Sequence, residues 1–267
     1  MWAAFMKSID RRVLLCWTGA LLLAALGFFG GNLWALALIR ADKGTSLAIY
    51  GVNAVQQVFL FAAPALLILA ARPARWTAFR QSIRPVSFDT VASTALLAVS
   101  GAVVASLIAY LWAEWLQRAA GYTGSADPLP IPQNALQWVV AVLAVAVIPA
   151  LCEETLFRGL IQGMLRRRLG AAGILIAALI FAVAHFRWEA FPALLAVGLA
   201  LGFAYDRRGL GSSALLHGLY NGVVLILSTR SVGIDITVVG LSTVACAFCL
   251  HRLLRKEPEN ETDRFGL

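Results

Sequence analysis

Glu153 and Glu154 stand side by side near the end of a long apolar run, with Arg158 four residues after Glu154. Two later apolar runs carry His185, and then His217 with Asn221. A carboxylate can take a proton from water, an imidazole can accept or donate one near neutral pH, and an amide N–H can hold a developing oxyanion. Carboxylates are costly in hydrocarbon and face a bundle interior or a watery cavity, so an intramembrane glutamate is a functional-site hypothesis by default. The set points to an enzyme that activates water inside a bilayer.

Spacing divides the labour among these residues. On a helix, Glu154 and Arg158 are four apart with the acid first, the favourable order for an ion pair. Glu153 is rotated about 100° away and cannot share that partner equally. One carboxylate is then neutralised structurally, while desolvation disfavours the charged form of the other and suits it to general-base work. The plainer alternative leaves both acids solvated at the interface beside Arg166 to Arg168. Thirteen residues separate Glu153 from Arg166, about 20 Å of helix, so a helix embedded to Arg166 makes Glu153 deep.

Phe181 and His185 stack one turn apart, although a lone histidine on an apolar helix is also read as a structural hydrogen-bonder. His217 and Asn221 share a face, interleaved with Gly218 and Gly222, a small-xxx-small pair that lets helices approach closely in lipid. Gly159/Gly163 and Gly198/Gly202 repeat the spacing. Together these signals imply one polar pocket where three helices converge. Depth is the difficulty. His185 lies 17 residues beyond Arg168 but His217 only nine beyond Arg208, a mismatch on the order of 12 Å on upright helices. Tilt, a short fifth run, or a segment at 209–213 holding Arg208 below the interface would close that gap.

The elements that must position these residues follow from composition. Of 267 residues 60% are hydrophobic and 13% charged, with mean hydropathy +0.79. Soluble domains carry about 25% charged residues. Apolar runs read at 13–39, 46–71, 90–114, 135–157, 170–186, 191–206, 211–229 and 234–253, against the roughly 20 residues a span needs. The expectation is an all-α, polytopic transmembrane bundle of about eight spans, the fifth and sixth short. It forms a single membrane-embedded domain over 1–267, with the motif core at 135–230, accessory spans at 1–115 and a cytoplasmic tail at 255–267.

The net charge of +8 sets topology and does not mark a nucleic-acid partner. With a cytoplasmic N-terminus, only Arg40, Lys43, Arg118, Arg187 and Arg230 of the 22 basic residues fall outside. The positive-inside rule then puts both termini in the cytoplasm. Lys7, Arg11, Arg12, Arg255, Lys256 and Arg264 contribute to that reading. Arg11-Arg12 before an apolar run resembles a signal peptide, but the run exceeds the 7–15 residues of an h-region, so it reads as an uncleaved first span. Cys246 and Cys249 have C-x-x-C spacing inside an apolar run, where small packing residues are the ordinary explanation, and Cys152 lacks a basic neighbour to activate it.

The chain resembles the CPBP family, the CAAX-protease and bacteriocin-processing intramembrane endopeptidases also called the Abi family. Its motifs E-E-x-x-x-R, F-x-x-x-H and H-x-x-x-N match Glu153, Glu154 and Arg158; Phe181 and His185; and His217 and Asn221, in order. The likeness covers about 135–230. It implies an eight-span helical fold with its cavity toward the cytoplasm, and peptide-bond hydrolysis, in eukaryotic relatives after a prenylated C-terminal cysteine.

Two mechanisms stay open. In the favoured one, with no cofactor, Glu153 aided by His185 deprotonates water while His217 and Asn221 stabilise the oxyanion. In the other, Glu153, His185 and His217 hold zinc with an open fourth position, although H-E-x-x-H is absent. The expected partners are a membrane-associated or lipid-anchored peptide and the bilayer. The alanine- and arginine-rich usage points to a bacterial inner membrane. Rival classes are a proton-coupled transporter and a non-catalytic scaffold that retains the pocket. The clustering of polar residues in one half opposes the transporter, whose halves normally repeat.

Overall fold

The structure is a computed structural model that describes residues 11–41, 45–124, 130–228 and 235–254. The tail at 255–267 and the basic residues Lys7, Lys43, Arg230, Arg255, Lys256 and Arg264 lie outside the described residues. The chain is an all-α, multi-pass membrane bundle; among the described residues there is no strand.

Among the described residues seven helices are long and apolar enough to cross a bilayer: α1 (Arg12–Arg40), α2 (Ser46–Ala70), α4 (Phe88–Ala120), α5 (Ala135–Leu169), α7 (Phe191–Arg208, preceded by a 3₁₀ turn from Trp188), α8 (Leu210–Ser228) and α9 (Ile236–Leu254). Between α2 and α4 lies the basic α3 (Pro73–Ser82). The expected fifth span is α6 (Ala172–Ala184), only 13 residues. At 1.5 Å per residue it rises about 20 Å, short of the roughly 30 Å hydrocarbon layer. Among the described residues, seven spans and one short helix stand in place of about eight spans: the fifth run is short as expected, and the sixth, with its 3₁₀ turn, is a 21-residue span. The α6–α7 turn that carries His185 therefore follows after only 13 helical residues.

Burial is inverted relative to a soluble protein. Leucines such as Leu21, Leu22 and Leu241 are exposed, whereas Glu154, Arg158, Gln162 and Ser213 are wholly buried. Without water to solvate them, these groups must partner one another. One apolar core joins Leu97, Phe157, Phe181, Leu201, Leu216 and Cys249, tying α4 to α5, α6, α7, α8 and α9. A second joins Ala20, Leu69, Phe79, Leu160 and Leu210 and fastens α1 to α3 against α5 and α8.

A polar ladder fixes α5 against α7. Arg158 Nη2 donates to Gly198 O at 3.2 Å, Gln162 Nε2 to Gly202 O at 2.8 Å, and Arg166 Nε to Asp206 Oδ1 at 2.8 Å. Each rung joins residues 40 apart, four along each helix from the last, so the two helices run parallel in fixed register. The glycines make the approach possible between α6 and α7. A Cβ on Gly198 would lie 3.2 Å from Ala178 O and from the Phe181 ring, and one on Gly202 would lie 2.8 Å from Ile174. Gly218 and Gly222 behave otherwise: a Cβ on either has 3.6 Å or more to its nearest neighbour, which is ordinary contact. Of the three pairs that the spacing named, Gly198/Gly202 beside Phe181 makes the tight crossing and Gly218/Gly222 does not.

Candidate active site

Helix α5 is wound so that its carbonyls become acceptors near the site. Pro149 has no N–H, which frees the carbonyls four and five residues earlier, and the backbone widens into π turns over Val142–Val147 and again over Thr155–Gln162. Asn53 Nδ2 of α2 takes Ala144 O at 2.7 Å, and Asn221 Nδ2 of α8 takes Val145 O at 3.4 Å. Two helices are pinned to the defect that a proline creates. Glu153 and Glu154 sit between the two wide turns, a position where such turns often mark function.

Glu154 is the fixed carboxylate. Its Oε2 is 3.3 Å from Arg158 Nε and accepts from the hydroxyl of Ser213, and its Oε1 is 2.9 Å from His217 Nδ1. Arg158 is also capped by an aromatic face, with Cζ 4.6 Å from the Phe181 ring centre. Phe181 stands at the centre: its ring lies 4.5 Å from that of His185, 5.7 Å from that of His217 and 5.2 Å from that of Phe157.

Glu153 is the less encumbered one. Its Oε2 is buried without a hydrogen bond from any described residue, 3.7 Å from His185 Nε2 and 3.8 Å from His217 Nε2. Partners settle the imidazole orientations. His185 Nδ1 is 2.7 Å from Phe181 O, and a carbonyl only accepts, so Nδ1 carries the hydrogen. His217 Nδ1 faces a carboxylate in the same way. Both Nε2 atoms therefore face Glu153. Phe186, next to His185, holds φ of 51°, a left-handed conformation that a bulky non-glycine residue adopts at a cost. The turn is tied to α4 by Trp112 Nε1 donating to Trp188 O at 2.8 Å.

The depth mismatch is resolved by α8. Gly209 alone links α7 to α8, with φ of 87°, and Ser213 is wholly buried against Glu154 and Leu201 O. Helix α8 thus begins inside the bundle, and His217 reaches Glu153 with few residues behind it.

Of the residues expected from sequence, Glu153, Glu154, Arg158, Phe181, His185 and His217 converge on one cluster. Asn221 lies one turn along α8 and contacts α5 at Val145. Ser213, Gln162 and Asn53 were not anticipated. Ser213 was within reach, since Ser213, His217 and Asn221 are each four apart. Gln162 likewise continues the series Glu154, Arg158 and Arg166. Asn53 carries no such signal.

The zinc alternative needs Glu153, His185 and His217 as ligands. Tetrahedral zinc with bonds of about 2.0–2.1 Å holds its donors roughly 3.3–3.4 Å apart, closer than the 3.7 and 3.8 Å seen here. Among the described residues no three His, Cys, Asp or Glu side chains are arranged to hold a metal ion.

Three motifs in register on α5, α6 and α8, closing on one buried cluster, call for a comparison with known families. Residues 135–223 match the family model for type II CAAX prenyl endopeptidases, Rce1-like. The Rce1-like region contains all seven motif positions and agrees with the CAAX-protease resemblance in the sequence. Comparison with curated proteins and with solved structures gave no match. Cys152, Cys246 and Cys249 are free thiols, with Cys152 and Cys249 buried.

Proposed function

We propose that the protein is an intramembrane endopeptidase that hydrolyses membrane-associated or lipid-anchored peptides with a glutamate-activated water. The Rce1-like match supports CAAX-type intramembrane endopeptidase activity. One observation carries the mechanism: Glu153 Oε2, buried and without a hydrogen bond from the described residues, faces two imidazole Nε2 atoms within 3.8 Å. In this reading the attacking water sits between Glu153 Oε2 and His185 Nε2, which are 3.7 Å apart.

Glu153 accepts a proton from that water while His185 Nε2 accepts the hydrogen bond of its second hydrogen. The oxygen attacks the scissile carbonyl carbon, and the carbonyl oxygen becomes an oxyanion. The C–N bond then breaks, and the amine leaves with the proton held on Glu153. His217, held at Nδ1 by Glu154, turns its Nε2 edge toward the oxyanion. Asn221 has two amide hydrogens, one on Val145 O, which leaves the other for the oxyanion. Loss of one such donor costs about 10²–10³ in rate.

The basic residues around the ends of α2, α5 and α7 support a topology with both termini cytoplasmic, as in a bacterial inner membrane. The test uses the purified full chain and a membrane-anchored peptide reporter. Glu153→Gln abolishes turnover, because an amide cannot take the water's proton. Asn221→Ala lowers kcat with KM little changed, because its contact strengthens only as charge develops. Activity survives exhaustive chelation. Loss of activity on chelation, restored by zinc, with one bound zinc per chain absent from His185→Ala and His217→Ala, overturns the metal-free mechanism. Full function in Glu153→Gln identifies a scaffold instead.

A further inference from the structure

A cleft of about 350 Å³ opens at the basic end of the bundle, outside the catalytic cluster, between α2, α3, α5 and α7. Four arginines line it, Arg75 of α3 and Arg166, Arg167 and Arg168 of α5, and no Asp or Glu does. Arg166 is neutralised by its two-point contact with Asp206 at 2.8 and 3.3 Å. The remaining three charges have no acid in the lining. Arg75 Nη1 is buried without a hydrogen-bond partner among the described residues. Burial, with the neighbouring charges of Arg72 and Arg168, holds the Arg75 guanidinium below its ordinary pKa. A planar cation with an unused donor, facing two more cations, is built for an anion with several acceptor oxygens.

The other wall is apolar. Leu69, Phe79, Leu160 and Met164 line it, and Phe79 packs so closely on α5 that a Cβ at Gly159 would lie 2.7 Å from its ring. The cleft lies where α2 ends at Ala70 and α5 ends at Leu169, the level of the lipid headgroups. A soluble anion has no use for the apolar wall. A phosphate with acyl chains attached uses both sides, and basic pockets between spanning helices are a recurrent form of headgroup site.

From this juxtaposition we infer that the cleft formed by Arg75, Arg167 and Arg168 with Leu69, Phe79 and Met164 binds the headgroup of an anionic phospholipid. The ladder of Arg166–Asp206, Gln162–Gly202 and Arg158–Gly198 leads from the cleft to Glu154. A bound lipid therefore braces the α5–α7 register on which the catalytic cluster stands. The site does not depend on the chemistry assigned to Glu153.

Native mass spectrometry of the purified full chain, with dioleoyl phosphatidylglycerol or dioleoyl phosphatidylcholine added, reads the site directly. One phosphatidylglycerol is retained in preference to phosphatidylcholine. The double variant Arg75→Gln/Arg168→Gln weakens its retention roughly 30-fold, at about a factor of five per arginine. Arg80→Gln, on the exposed face of α3 and not in the lining, leaves retention unchanged and controls for general surface charge. Equal retention of the two lipids, or equal loss in Arg80→Gln, overturns the proposal. Displacement by millimolar inorganic phosphate makes free phosphate the ligand and overturns the lipid assignment. Should the double variant fail to fold, a diazirine-bearing phosphatidylglycerol crosslinked to the wild-type chain decides. Labelled peptides containing Leu69–Phe79 or Leu160–Met164 support the site, and labelling confined elsewhere refutes it.

Discussion

Replacing Arg158 by alanine tests the part of the site on which the rest depends. The guanidinium is wholly buried, contacts Glu154 at 3.3 Å, donates to Gly198 O and lies over Phe181. Its removal leaves Glu154 buried with only neutral donors and His217, opens the ladder at its first rung and withdraws support from the Phe181 ring. Breaking a buried pair by deleting one partner costs about 3–5 kcal/mol. For 267 residues, at about 2.1 cal/mol/K of unfolding entropy each, that lowers the midpoint by roughly 5–9 °C. Intrinsic-fluorescence melting of the detergent-purified protein measures it against wild type at one scan rate, since unfolding of such proteins is commonly irreversible. The neutral double variant Glu154→Gln/Arg158→Met should recover most of the stability, because no unpaired charge remains. It should not recover activity, because the carboxylate that holds His217 Nδ1 is gone. An Arg158→Ala protein that melts within 2 °C of wild type and cleaves normally would refute the argument that this pair organises the cluster.

Gly198→Ala should destabilise the protein by about 1–3 kcal/mol, the cost of overpacking, and reduce turnover through Phe181, whereas Gly218→Ala should melt like wild type; equal melting points would show that the α6–α7 crossing is looser than described. Asn53→Ala removes the donor to Ala144 O and should cost about 1 kcal/mol in the same melting assay, with an unchanged midpoint counting against the role given to Pro149. A cysteine at Gly124 should label from outside intact cells and one at Arg75 only after permeabilisation; the opposite pattern would invert the topology.

Much of the site was legible in the sequence because helical periodicity converts spacing into faces. Glu154, Arg158, Gln162 and Arg166 recur every four residues, as do Gly198, Gly202 and Asp206, and Ser213, His217 and Asn221. Such stripes must face inward in a chain whose exterior meets lipid, so membrane class, helical fold and the residues at stake follow from hydropathy and spacing alone. Spacing does not say which stripe meets which, or how deep each helix begins. Tertiary structure decided that Glu154 binds His217 as well as Arg158, and that α6 stops at 13 residues with its histidine facing Glu153. It also decided that α8 starts inside the bundle behind a single glycine, and that Asn53 of an apparently plain span closes a carbonyl freed by Pro149. The physical reason is range. Periodicity is a property of one helix, while depth and partnership depend on how several helices satisfy one another's polar groups where no water can.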